Sequence, residues 1–298
     1  MFGEDSPFFS IILPTFNRVS FLGQAVESVL GQTFSNWELL LVDNNSTDGT
    51  DDLLDKFKDT RIKIFKINNG GSISVSRNLG IKAARGKWVA FLDSDDWWKP
   101  NKLAECRRNI TASVDFIYHD LEIVSGNKKH KNLNCRQLNP PVLIDLLLKG
   151  NPIAAPSVVV RKSLLVRIDY MNEDPELIMT ADYNTWLKIA NITDAFLHVP
   201  KKLGFYRIHS NNISNDSILE PALKAMNGFF FPLNDKQKSD VISNLTYTQG
   251  RIKFINRNYS KAEEDLIKVV KVGRIFNKIK SLFMLVQIRI IILLRKSN

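Results

Sequence analysis

Three carboxylates fall within four residues at Asp93-Ser94-Asp95-Asp96. Held that close, they repel one another unless a cation joins them. Hard oxygen donors of this kind suit Mg²⁺ or Mn²⁺, and such ions in turn bridge the oxygens of a diphosphate. In isolation the run also reads as a solvated acidic turn that caps the next helix. Its context favours the metal–diphosphate reading: the strand-like KWVAFL (87–92) runs straight into it, and Trp97, Trp98 and Pro100 follow. Two other polar clusters also stand directly behind apolar runs. They are PTFNR (14–18) after FFSIIL (8–13) and DNNSTD (43–48) after WELLLV (37–42).

Those runs are the elements that must position the chemistry. FFSIIL, WELLLV and KWVAFL read as buried parallel strands, and RIKIFKI (62–67) alternates like another. Between them, Phe21, Leu22, Ala25, Val26, Val29 and Leu30 mark one face of a helix. NNSTDGTDDLLDKF places Ser46 or Thr47 to cap a second helix, and SISVSRNLGIKAARG gives a third, stopped by Gly86. This order predicts an α/β fold with a mostly parallel central sheet covered by helices on both faces. Ligands of such sheets sit beyond the carboxyl ends of the strands, where the polar clusters fall. Further along, DFIYHD (115–120), PSVVVRK (156–162), AFLHVP and KLGFYRIH read as strands and MTADYNTWLKIA (179–190) as a helix. From about residue 217 the pattern is helical.

Five stretches, in order, resemble the family 2 glycosyltransferases: SIILPTFNR (10–18), AVESVLGQTFSNWELLLVDNNSTDGT (25–50), SRNLGIKAARGKWVAFLDSDD (76–96), ADYNTWLKI (181–189) and FYRIHSNNIS (205–214). The resemblance implies the type A glycosyltransferase fold, with a Rossmann-like nucleotide-binding half. It implies a catalytic domain over 1–215, divided into a nucleotide-sugar half (1–120) and an acceptor half (121–215). An all-helical extension follows over 216–298. Carried over by position, Pro14, Thr15, Phe16 and Asn17 line the base pocket, and Asp43 and Asn44 approach the base edge. Asn44 stands where an aspartate is commoner. Its amide oxygen still accepts from the N3–H of uracil, and thymine presents the same edge. Asp48 reads as a helix cap. Arg77 is either a cation near the base or diphosphate, or a structural pair with Asp43 or Asp93. Asp93 contacts the ribose, with Ser94 in the same loop. Asp95 is the direct metal ligand, and Asp96 binds the donor sugar or supports the loop. His209 resembles a position that reaches the metal or the diphosphate.

The implied reaction is an inverting transfer from a nucleotide-diphosphate sugar, a UDP-sugar first of all, to a hydroxyl. Mn²⁺ or Mg²⁺ is the cofactor, and Asp182 is the base that deprotonates the acceptor. Asp182 belongs to an Asp-led helix start whose usual preceding glutamate is Ala181, and it also reads as a plain cap. The acceptor implied is a lipid-linked or envelope glycan, as in lipopolysaccharide or capsule synthesis. Two other readings share the pattern: a dTDP-deoxysugar transferase, and a nucleotide-sugar-binding protein weakened in turnover. No Walker pattern or GxSxG elbow is present, which counts against a P-loop NTPase or an α/β-hydrolase.

Composition narrows the setting. The chain has 298 residues and a formal net charge of +10. Residues 251–298 hold 12 Lys/Arg against three acids, whereas 1–250 hold 29 against 28. The tail therefore carries the basic character. Its end, 274–296, interleaves Arg274, Lys278, Lys280, Arg295 and Lys296 with Ile, Leu, Phe and Val. That pattern suits an interfacial helix on anionic lipid, or a docking helix on protein, better than nucleic acid. Residues 251–271 read as a helical hairpin. Glu4 and Asp5 stand where a secretory signal needs positive charge. Cys106 and Cys135 show no metal-type spacing, which argues against a disulfide scaffold and a structural zinc site and for a reducing compartment. His119, His130 and His198 have no functional context. The expected setting is the cytoplasm, at the inner face of the cell membrane.

Overall fold

The structure is a computed structural model that describes residues 6–126, 128–209 and 218–296. Glu4, Asp5 and the SNNIS end of the fifth matching stretch lie outside the described residues. The elements run β1 (Phe9–Thr15), α1 (Val19–Leu30), β2 (Trp37–Asp43), α2 (Thr50–Leu54), β3 (Ile62–Lys66), α3 (Ile73–Ala83), β4 (Trp88–Phe91), β5 (Trp97–Trp98), α4 (Lys102–Asn109), β6 (Phe116–Ser125), β7 (Lys128–Leu133), α5 (Val142–Lys149), β8 (Val159–Arg161), α6 (Lys162–Arg167), α7 (Ala181–Ala190) and β9 (Phe196–Ile208). Then come α8 (Leu219–Met226), α9 (Asp235–Ile255), α10 (Tyr259–Val272) and α11 (Ile275–Lys296). Two compact units result: Met1–Asn139 with Pro152–Asn212, and Pro140–Asn151 with Ile213–Asn298.

The first unit is built on one mixed sheet in the order β3-β2-β1-β4-β8-β6-β9-β5, with β7 on β6. β3, β2, β1 and β4 are mutually parallel, as the short strand–helix period requires. Beyond β4 the short β8 runs antiparallel to both β4 and β6, after which β6 and β9 pair in parallel. β1 and β2 are buried along their whole length, which explains their unbroken apolar runs. On one face Phe9, Ile11 and Leu13 pack with Leu22, Ala25, Val26 and Val29 of α1. On the other, α3 lies so close that a Cβ at Gly80 would stand 2.8 Å from Ile12 Cγ2. Glycine is what allows α3 to approach and deliver its next polar side chains to the strand ends.

The second unit is helical. Asn234 and Gln237 form a reciprocal capping box at the start of α9. α10 folds back on α9, and Ala262 and Leu266 of α10 join Met284 and Ile288 of α11 in a small core. Its one segment from the middle of the chain is α5, whose Leu148 carbonyl accepts from Asn244 of α9 at 2.8 Å. Among the described residues no helix is long and apolar enough to cross a membrane.

Candidate active site

The carboxyl ends of β1, β2 and β4 leave the sheet side by side. Thr15 stands opposite Asp43, and Ile12 opposite Phe91 two residues before Asp93. Pro14 and Thr15 close β1, buried, and the Thr15 hydroxyl is buried with no hydrogen-bond partner. Phe16 then turns outward and is 46% exposed, with its ring beside Gly71, whose φ of +89° only glycine adopts without strain. Asn17 donates its N–H to Ser46 Oγ at 2.9 Å and accepts from the Thr47 N–H at 2.8 Å, tying the first two polar loops together. Asp43 and Asn44 are both buried. The Asp43 carboxylate accepts from the Ser46 N–H at 3.2 Å, and Asn44 Oδ1 accepts from the Asn69 N–H at 2.9 Å. A second lone pair remains on that amide oxygen.

Asp48 of the STD turn reaches the first residues of two helices, and its Oδ1 accepts from the Thr50 hydroxyl of α2 at 2.6 Å. Asp48 Oδ2 accepts from the Val19 N–H at 2.8 Å, the first residue of α1, and hydrogen bonding there holds its carboxyl below the ordinary range despite desolvation. α2 begins after Gly49, an N-cap residue in the left-handed region with no side chain to offer, while Ser46 is engaged by Asp43 and the Thr47 N–H by Asn17.

Arg77 is the centre of the arrangement. It sits on α3, its side chain 3% exposed, and its two terminal nitrogens reach different elements. One donates to Asp93 Oδ1 at 2.6 Å, and the other to Asp182 Oδ1 in the first turn of α7. Of the structural partners the sequence suggests for Arg77, Asp93 is met and Asp43 is not, and Asp182 is the second partner instead. A residue 105 positions away in sequence is thus brought beside the acidic loop. Burial raises the Asp93 carboxyl above its ordinary value; Arg77 opposes this, and Asp95 and Asp182 add to it.

The other two acids of the loop are sorted by β9. Asp96 is buried and accepts from the Arg207 N–H at 2.8 Å, while its second oxygen has no partner. Burial, then Asp95 and Asp93, push its carboxyl well above the usual range. The Arg207 guanidinium donates to the Asp95 carbonyl at 2.9 Å. It lies 4.5 Å from the Trp97 ring centroid and 4.7 Å from that of Phe21. Phe205 stacks on Trp97, and His209 stacks on Phe21. Every second residue of the FYRIH stretch therefore grips the acidic loop or the helix beside it. Sequence reading found His209 here but not the clamping by Arg207, Phe21 and Trp97; the period-two alternation of 205, 207 and 209 was the available signal. Ser94 is buried within the loop.

Asp95 Oδ2 and His209 Nε2 are left facing each other at 2.9 Å. A carboxylate beside an imidazole is a donor set that suits a divalent transition ion such as Mn²⁺ better than Mg²⁺, and Asp96 adds a buried oxygen without a partner nearby in the same loop. The residues present fit a divalent cation, with Asp95 and His209 as its holders.

Comparison with known proteins gives consistent results. The family model for glycosyl transferase family 2 matches residues 10–160. WfgD of Escherichia coli, a UDP-Glc:alpha-D-GlcNAc-diphosphoundecaprenol beta-1,3-glucosyltransferase, is 30% identical over 213 residues, covering 71% of this chain and 81% of its own. Among solved structures, Staphylococcus aureus TarS 1–349 in complex with UDP-GlcNAc superposes with a TM-score of 0.66 at 19% identity, covering 89% of this chain and 81% of TarS 1–349. The mannosyltransferase PcManGT of Pyrobaculum calidifontis, in complex with GDP-Man and Mn²⁺, gives 0.59 at 15%, with 92% and 78% covered.

Proposed function

This chain belongs to glycosyl transferase family 2, and from that premise we propose that it transfers a sugar from a UDP-sugar to a hydroxyl of a lipid-linked envelope glycan, with inversion at the anomeric carbon. The observation that carries the reading is the Arg77 bridge, which sets Asp182 of α7 against Asp93 of the acidic loop. Asp182 is 30% exposed while Arg77 beneath it is buried. An acceptor hydroxyl can therefore reach the carboxylate, and the guanidinium fixes its direction. In this role Asp182 takes the proton as the hydroxyl attacks, Arg77 orients it, and Asp93 stands on the donor side of the same cation. The half-exposed Phe16 offers an aromatic face to the base, with Asp43 and Asn44 at the base edge. Asp95 and His209 would hold a divalent cation, which would supply charge neutralisation for the departing diphosphate. UDP is the favoured nucleoside diphosphate, since WfgD takes a UDP-sugar by name and the TarS structure holds UDP-GlcNAc.

The membrane side of the proposal rests on α11. Ser281, Met284 and Ile288 are buried, whereas Ile275, Phe276, Ile279, Phe283, Val286 and Ile290 are each more than half exposed on the same helix. With Lys278 and Lys280 alongside, this face suits the headgroup boundary of anionic lipid, where a lipid-linked acceptor would be met.

Calorimetric titration of UDP, dTDP and GDP, with and without Mn²⁺, tests the donor site. Metal-dependent binding of UDP that Asp95→Ala abolishes is the expected result. Preference for dTDP would move the donor to a deoxysugar. No nucleotide binding by the folded chain would overturn the proposal.

A further inference from the structure

Away from the donor site, β6 and β9 carry a second set of ligand-type side chains. Asp120 lies on β6, Cys135 two residues beyond β7, and His198 on β9. One ligand atom from each lies within 4.8 Å of the other two, the one group of three His, Cys, Asp or Glu residues that does so among the described residues. We propose that these three side chains form a binding site for a zinc-type divalent cation, separate from the Asp95–His209 pair.

Register, not sequence spacing, creates the cluster. In the β6–β9 ladder His198 stands opposite Tyr118, two residues before Asp120 and therefore on the face that Asp120 shares. Asp120 Oδ1 then meets His198 Nε2 at 2.9 Å and accepts from the Cys135 N–H at 2.8 Å. The Cys135 thiol donates to the His119 carbonyl at 3.2 Å. Tyr118 braces the set: its ring stacks on His198, and its hydroxyl accepts from the Leu138 N–H at 3.0 Å. All three ligand side chains are largely buried, so little ordering remains to be done on binding.

The chemistry of the donors selects the ion. A thiolate is too soft for Mg²⁺ or Ca²⁺ but is a preferred partner of Zn²⁺, as is imidazole. Thiolate and carboxylate together neutralise a divalent charge, which matters in a buried place. Tetrahedral zinc holds its ligands about 3.5 Å apart, close enough to the present spacing for small side-chain rotations to suffice. On binding, the thiol proton leaves to solvent, the sulfur–metal bond replaces the S–H donation to the His119 carbonyl, and the His198 ring proton resides on Nδ1. The bound ion would staple β6, the segment after β7 and β9, the strand that delivers Arg207 and His209 to the acidic loop.

Co²⁺ titration of the full chain, read by the thiolate-to-cobalt charge-transfer band, tests the site. One equivalent of Co²⁺ should give the band, and Zn²⁺ should bleach it. The band should vanish in Cys135→Ser, survive in Cys106→Ser and Asp95→Ala, and weaken at least tenfold in affinity in His198→Gln, which keeps a hydrogen bond to Asp120. No band in the wild type, or a full band in Cys135→Ser, overturns the proposal. Should Cys135→Ser fail to fold, the Cys106→Ser and His198→Gln pair decides: equal Co²⁺ affinity in both refutes the site.

Discussion

Replacing Arg77 by lysine keeps a positive charge on α3 but removes the fork that reaches two carboxylates. The wild-type guanidinium serves Asp93 and Asp182 through separate nitrogens from a side chain that is itself buried. An ammonium is a point charge on a shorter stem and can satisfy one of them. A hydrogen bond to a charged group is worth about 1.5–3 kcal/mol, and the partial exposure of both aspartates argues for the lower half of that range. If Asp182 is the base and Arg77 orients it, a loss of about 2 kcal/mol corresponds to roughly 30-fold in kcat/KM. Acidity should move as well. Burial, Asp95 and Asp182 already raise the Asp93 carboxyl, and Arg77 is what restrains it. With lysine it rises further. A carboxyl raised in the folded state favours folding below its unfolded value, and that advantage is lost as pH rises through the folded value. Arg77→Lys should therefore lose more stability than wild type on going from about pH 4 to pH 7, and the acid limb of its rate profile should shift upward. Urea midpoints at both pH values and a pH profile of kcat/KM measure this. Rates within twofold of wild type, with equal midpoints at both pH values, would refute the bridging role.

Asp182→Asn should bind UDP as wild type does and lose roughly 10²–10⁴ in turnover, measured by sugar transfer under saturating donor; undiminished turnover would place the base elsewhere. Lys102 is fully buried with its Nζ over the Trp98 ring and no hydrogen-bond partner, and burial lowers it from 10.5 to about 8. The unfolded chain therefore binds the extra proton between those values, so stability should rise with pH across that window by up to about 3 kcal/mol, and Lys102→Met should flatten the rise and stabilise at pH 7. Chemical denaturation at several pH values checks both. Ile279→Glu with Phe283→Glu, at positions 58% and 66% exposed, should weaken binding to anionic vesicles about 100-fold and leave UDP binding unchanged, since roughly 1.5 kcal/mol of burial is lost at each.

Most of the parallel half of the sheet was legible because β1, β2 and β4 are short apolar runs ending in polar residues, while the outer β3 shows the alternation of a half-covered strand. Burial on both faces forces the run, and the ligand-bearing strand end forces the polarity. The rest was less so. β5 has two residues, too short for any periodicity, and although PSVVVRK reads as a strand, nothing in its pattern says that β8 sets the antiparallel step between β4 and β6. β9 runs unbroken over thirteen residues through Pro200, where the sequence suggests two strands separated at a proline. α5 falls inside the first 215 residues, in a stretch not read as a helix from sequence, and nothing in its pattern says that it packs with α9.

What sequence could not supply, at either site, was which polar side chain meets which. Arg77 stands 16 positions from one partner and 105 from the other. A local rule can suggest the nearer carboxylate, as it did. Only the packing of α7 beside the strand ends brings the farther one. Cys135 and His198 show the same limit more sharply. Counted along the chain, the cysteines lack metal spacing and His198 has no context, so both were set aside. The β6–β9 pairing, with His198 opposite Tyr118, and the chain's return after β7 then bring them to Asp120. Register in a strand pair decides which side chains share a face and stand beside one another. Chemistry that depends on long-range pairing is therefore invisible to spacing rules even where the strands themselves are readable. The acidic loop escaped this limit because its three carboxylates are contiguous. The division of labour among them did not, because it is imposed by Arg77 on one side and by Arg207 and His209 on the other.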